Sequence, residues 1–119
     1  MKRDVSWTPI SKEGLNTEIE RALAKMTEEM RRKFAAIRIP FLEFRCRRHE
    51  LMGDETLYAI ASKGRQYIIY DDVESDFGLV VLSPGESERT LRFWVLADGL
   101  PNAMRVLENG DYSACLVAP

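Results

Sequence analysis

From Leu15 onward, apolar side chains recur at steps of three and four: Leu15, Ile19, Ala22, Leu23, Met26, Met30, Phe34 and Ile37. That spacing lays one apolar stripe along an amphipathic helix. The positions between carry Glu18, Glu20, Arg21, Lys25, Glu28, Glu29, Arg31, Arg32 and Lys33, with Glu28/Arg32 and Glu29/Lys33 in the favoured acid-first order. Ser11 or Asn16 can cap the start. Pro40 forces Ile39 into an extended conformation and closes the helical region before it. The pattern predicts one long helix over 12–35, about 36 Å from end to end at 1.5 Å per residue.

Beyond Pro40 the period changes to two. Phe41–Arg48 sets Leu42, Phe44 and Cys46 against Glu43, Arg45 and Arg47. Further strands are expected at Thr56–Ser62 and Gln66–Asp72, joined through Lys63-Gly64, and at Phe77–Ser83, stopped by Pro84-Gly85. Glu88–Ala97 is the longest and most apolar run, broken by Asp98-Gly99. Pro101 suits the first turn of a short helix over 101–108 that ends at Asn109-Gly110, and Tyr112–Val117 reads as a last strand. Short links between neighbouring strands mean antiparallel pairing. The expected fold is a single α+β domain over residues 1–119: an N-terminal long helix packed on a five- to six-stranded antiparallel meander sheet, with a short helix before the last strand.

Three of these strands carry apolar residues on both faces: Tyr67 and Ile69 against Ile68 and Tyr70, Leu79 and Val81 against Val80 and Leu82, and Phe93 and Val95 against Trp94 and Leu96. A half-exposed antiparallel strand would alternate instead. Five flat strands span about 24 Å, whereas one helix with its side chains is about 10 Å wide. The second face of the sheet must therefore be covered by something other than the long helix. The candidates are the 101–108 helix, the N-terminal segment (Val5, Trp7, Ile10), a ligand or a second copy of the chain. Of these, a homodimer through the outer sheet face, with Tyr70, Trp94 and Leu96 at the contact, is the functional expectation.

Composition narrows the chemistry. The chain has 119 residues, 45% apolar and 30% charged, which fits a folded globular domain and not disorder. A formal charge of −2 lacks the basic excess of a dedicated nucleic-acid binder. The single histidine, His49, removes multi-histidine metal sites, and Cys46 and Cys115 form no CxxC motif, so both are expected to be reduced thiols in strands. No cofactor and no metal is expected. The N-terminus carries no apolar stretch of signal-peptide type and no run approaches a membrane span, which together point to a cytoplasmic protein.

Two charged zones stand out. Asp71, Asp72, Glu74 and Asp76 form an acidic run without an intervening base. Its spacing begins like a calcium loop, but Phe77 stands where the loop needs glycine and Ser83 where it needs glutamate. Asp76-Phe77-Gly78 copies a kinase tripeptide without any other kinase part. Between 31 and 48 lie Arg31, Arg32, Lys33, Arg38, Arg45, Arg47 and Arg48 against one acid, Glu43. The acidic turn could cap a basic partner protein, as an immunity-type inhibitor would. The basic zone, chiefly Arg38, Arg45, Arg47 and Arg48, could track phosphates. No elbow serine, paired carboxylates or phosphate-cradling glycines argue for an enzyme.

The segment Tyr70-Asp71-Asp72-Val73-Glu74-Ser75-Asp76-Phe77, with Ile37-Arg38-Ile39-Pro40 and a helix upstream, resembles a Y-[ND]-D-[IV]-E-x-x-F motif. That motif belongs to small uncharacterised bacterial α+β proteins of the accessory or mobile-cassette kind. The resemblance implies a strand–turn–strand connection in such a domain and transfers no activity. The chain is thus expected to be a small, non-enzymatic binding protein.

Overall fold

In the computed structural model the described residues are 10–47, 54–82, 90–91, 94–113 and 115–117. The helical stripe forms, but in two pieces: α1 (Lys12–Ala24) and α2 (Glu28–Ile37). Ser11 caps α1 by accepting from the Gly14 amide. Thr27 leaves the helical conformation and caps α2 through the Met30 amide. The long helix over 12–35 is thus corrected to a helix pair. Its apolar period runs unbroken through the junction, whereas Thr27 followed by Glu28 and Glu29 is a helix start in its own right, with an oxygen cap and acids on the positive end of the dipole. Arg31 holds the junction, its guanidinium donating to the carbonyls of Leu23 at 3.2 Å and Met26 at 2.5 Å, the first of which also accepts from the Met26 amide at 3.0 Å.

The sheet contains β1 (Arg38–Arg47), β2 (Asp54–Lys63), β3 (Gln66–Asp71), β4 (Asp76–Val81), β5 (Thr90–Leu91), β6 (Val95–Leu96) and β7 (Leu116–Val117), with α3 (Leu100–Asn109) between the last two. The α+β class is as expected. Strand order is β5-β1-β2-β3-β4-β6-β7. Strands β1 to β4 form an antiparallel meander, β6 and β7 continue it antiparallel, and β5 runs parallel to β1. Pro40 sits where the β1–β2 register shifts, between Arg38 and Leu42, a place that tolerates a residue without an amide proton.

The 88–97 run is therefore not one strand. Its two halves join opposite sides of the sheet, Leu91 beside β1 and Val95 beside β4. Between β5 and β6 lie five strand spacings, about 24 Å across a flat sheet. Four residues of chain reach at most about 14 Å. The sheet can satisfy both pairings only by rolling up, so Leu91 and Val95 are brought near one another across a curved sheet. At Gly78 this closure is tight: a Cβ there would stand 2.3 Å from the Val95 carbonyl oxygen, so only glycine lets β6 dock.

Rolling separates two cores. Outside the curve, α1, α2 and α3 cover Ile60, Ile68, Tyr70, Phe77 and Leu79 with Leu15, Ile19, Phe34, Leu100, Ala103 and Leu107. Inside it lie Phe44, Leu57, Ala59, Ile69, Val80, Trp94 and Leu96. The second apolar face is enclosed by the chain's own curvature. The short helix packs on the same face as α1 and α2, and so does Ile10, while Val5 and Trp7 lie outside the described residues. Trp94 anchors this inner core. Truncating such a buried tryptophan to alanine costs roughly 3–5 kcal/mol, a large share of a typical net stability of about 5–15 kcal/mol.

Candidate functional site

The contact expected at Tyr70, Trp94 and Leu96 does not exist as a surface. These side chains are 7%, 2% and 9% exposed, and Tyr70 lies on the helix-covered face opposite the other two. The expectation rested on a flat sheet, and the rolled sheet removes the bare face. Tyr70 pairs edge-to-face with its cross-strand neighbour Phe77 at 5.0 Å. Burial first, then the nearby Glu18 carboxylate, push its hydroxyl above the ordinary 10.0, against a hydrogen bond with Ser75.

The acidic turn is also turned inward. Asp71 is wholly buried on the inner face: one oxygen accepts from the amides of Val73 and Glu74, each at 3.1 Å, and the other from the Trp94 indole at 2.9 Å. It closes the turn and ties Trp94 to the end of β3. Asp72 accepts from the Ile10 amide at 2.8 Å, anchoring the chain ahead of α1. Asp76 accepts from the amides of Asp98 (3.0 Å) and Gly99 (2.8 Å), which fixes the start of α3, where Gly99 has no side-chain cap of its own. Of the four acids only Glu74 is exposed. Three of the four carboxylates therefore serve the fold, and Glu74 is the one that faces solvent.

The basic zone is dispersed. Arg31 is the helix-junction tie described above. Arg38 lies over the Phe34 ring at 5.5 Å and reaches Glu20 at 3.7 Å and Asn16 at 3.5 Å. Arg45 is exposed on β1, while the Arg47 side chain and Arg48 lie outside the described residues, as does His49. Cys115 is half-buried and unbridged, its thiol pushed up by burial and by the Asp111 and Asp76 carboxylates, which makes it a poor nucleophile at neutral pH. The Cys46 side chain lies outside the described residues. Among the described residues no group of three or more His, Cys, Asp or Glu could hold a metal ion, and no helix is long and apolar enough to cross a membrane.

The structure does form a concave surface, between α2 and α3. A groove of about 390 Å³ has Met30, Ala36 and Ile37 on the α2 side and Met104 and Leu107 on the α3 side. Lys33 from α2, Lys63 from the end of β2 and Arg105 from α3 frame it, with Glu108 as the one acid in its lining. Residues 30, 33 and 37 share one side of α2 because they stand three and four apart, and 104, 107 and 108 do the same on α3. Glu108 reaches Lys33 at 3.6 Å, and Lys33 also faces Glu29 at 3.9 Å. Lys63 donates to the Glu108 backbone carbonyl at 3.4 Å, and Arg105 donates to the Asn102 side-chain oxygen. A shallower depression of about 540 Å³, sharing Lys33 and Ala36 and adding Glu29 and Arg32, adjoins it along α2.

The apolar stripe read from the sequence put Met30 and Ile37 toward the core, where both pack partly buried, and did not reveal the groove beside them. The available signal was local: an apolar residue and a lysine, Met30 and Lys33, on one helix side. Bringing that side to Met104 and Arg105 requires the fold. The chain matches no protein-family model, no curated protein and no solved structure.

Proposed function

We propose that this protein is a non-enzymatic interaction protein that engages its partner through the α2–α3 groove. One observation carries the reading: a groove beside α2 has a partly exposed apolar wall, Met30, Ala36 and Ile37, and is framed by Lys33, Lys63 and Arg105, on a chain whose formal charge is −2. Met30 suits an adaptable contact, since its unbranched, polarisable side chain repacks around differing shapes. The groove's volume falls in the range of ligand sites. The alternatives weighed on sequence have weaker support. Self-association through the outer sheet face lacks exposed area at Tyr70, Trp94 and Leu96, and capping of a basic protein would rest on Glu74, the one exposed carboxylate of the four acids in the 71–76 turn.

An apolar anion is the direct probe. 8-Anilinonaphthalene-1-sulfonate should bind the native protein one to one with enhanced fluorescence. Ala36→Glu, an exposed helical position where the fold tolerates glutamate, should abolish the enhancement while leaving the circular dichroism unchanged. Equal dye binding by both proteins would show that the groove is not the contact surface.

A further inference from the structure

Resting on the groove as the interaction surface, we infer that its occupant is a small amphiphilic carboxylate, a short apolar body with one anionic end, held between the α2 wall and the cations Lys63 and Arg105.

The boundaries of the groove select a small ligand. Its α3 side is closed by core: Met104 and Leu107 are 5% and 2% exposed and back the groove without adding open surface. The apolar area within a ligand's reach lies on α2, where Ala36 is exposed and Met30 and Ile37 are half-buried. Lys33 on α2 reaches Glu108 on α3 at 3.6 Å, so an ion pair joins the two helices across the groove. The adjoining depression along α2 is lined by Glu29, Arg32 and Lys33 with Ala36 its one apolar residue, so the apolar wall does not continue into it. What remains is a bounded space of about 390 Å³, near the lower end of the roughly 300–1,000 Å³ of small-molecule sites.

The charge selects an anion. Lys33 is answered by Glu108 and, at 3.9 Å, by Glu29. Lys63 and Arg105 are answered only by neutral acceptors among the described residues, the Glu108 backbone carbonyl and the Asn102 side-chain oxygen. An ammonium carries three N–H donors and a guanidinium five, so each keeps donors for a ligand without giving up its present partner. The two cations come from different elements, β2 and α3, and line the same groove. Its one lining acid, Glu108, is drawn to Lys33. A carboxylate bound beside Lys63 and Arg105 gains charge-assisted hydrogen bonds, while its apolar body lies against Met30, Ala36 and Ile37. A cationic amphiphile would meet like charge there, and a neutral one would leave the pairing unused.

The test uses the full chain with carbon-13 methyl-labelled methionine, titrated with sodium octanoate, octanol, octylammonium chloride and sodium acetate. Octanoate should shift the Met30 methyl resonance saturably at one to one, less tightly as salt rises, and leave Met26, which does not line the groove, in place. Octylammonium and acetate should leave Met30 unmoved at the same concentrations. Lys63→Gln plus Arg105→Gln should weaken octanoate about tenfold, since two exposed charge pairs together contribute about that much, and leave the weaker octanol binding unchanged. Equal affinity for octanoate and octanol, or no loss in the double variant, would overturn the anionic end. A Met30 shift with acetate equal to that with octanoate would overturn the apolar body. If octanoate leaves Met30 unmoved while the naphthalene dye still depends on Ala36, the small carboxylate fails and the groove stands. If the dye is also indifferent to Ala36→Glu, the groove itself falls.

Discussion

The acidic turn at 71–76 is a run of like charges in one short span, whereas the cationic rim of the α2–α3 groove is gathered from Lys33, Lys63 and Arg105 on three separate elements. In the fold they are opposites. The turn's carboxylates accept from backbone amides and an indole inside the molecule, while the rim's cations rest on weak, exposed or neutral partners. A charged run is therefore a docking patch only where its own chain leaves it unanswered. A carboxylate is the side chain most easily answered locally, because every turn and helix start offers amide donors.

The sharpest way to break this contrast is to remove the buried acid. Asp71→Ala deletes the acceptor for two amides and the Trp94 indole, and should cost about 3–5 kcal/mol, since bonds to a charged group contribute about 1.5–3 kcal/mol each and do not add fully. Urea unfolding followed by Trp fluorescence reads it; a loss under 1 kcal/mol would mean that Asp71 is solvated. Asp76→Ala should cost less, about 1–2 kcal/mol, the usual loss of a helix cap, and hydrogen exchange should quicken at Leu100 and the first turn of α3 before the rest of that helix. The smallest effect belongs to the groove. Lys63→Glu and Arg105→Glu should each change stability by under about 0.5 kcal/mol in the same unfolding assay, as exposed charges away from structural roles do. A large loss there would make the rim a structural feature and erase the difference between the two regions.

Much of the fold was legible along the chain. The two-sided apolarity of 66–71 and 76–81, the Gly64 hairpin, the short helix after Pro101 and the Pro40 boundary are local signals, and each marks a real element or limit. The break at Thr27 was also written locally, as an oxygen cap followed by two acids, but the continuing apolar stripe concealed it. The candidate site was far less legible. Its residues come from 30–37, 63 and 104–108, and nothing within a window of a few turns relates them.

The pattern of side chains by itself determined which segments are helical or extended and that the central strands need cover on both faces, because backbone conformation and side-chain alternation are set by neighbours a few residues apart. Only the tertiary structure decided how that cover is made. Whether Thr90–Leu91 and Val95–Leu96 pair as one strand or clasp opposite sides of a rolled sheet depends on partners far along the chain, and the same clasp carries Trp94 inward to Asp71. Pairing and curvature are properties of distant segments held together, so they turned an expected outer surface into an inner core and formed a groove between α2 and α3.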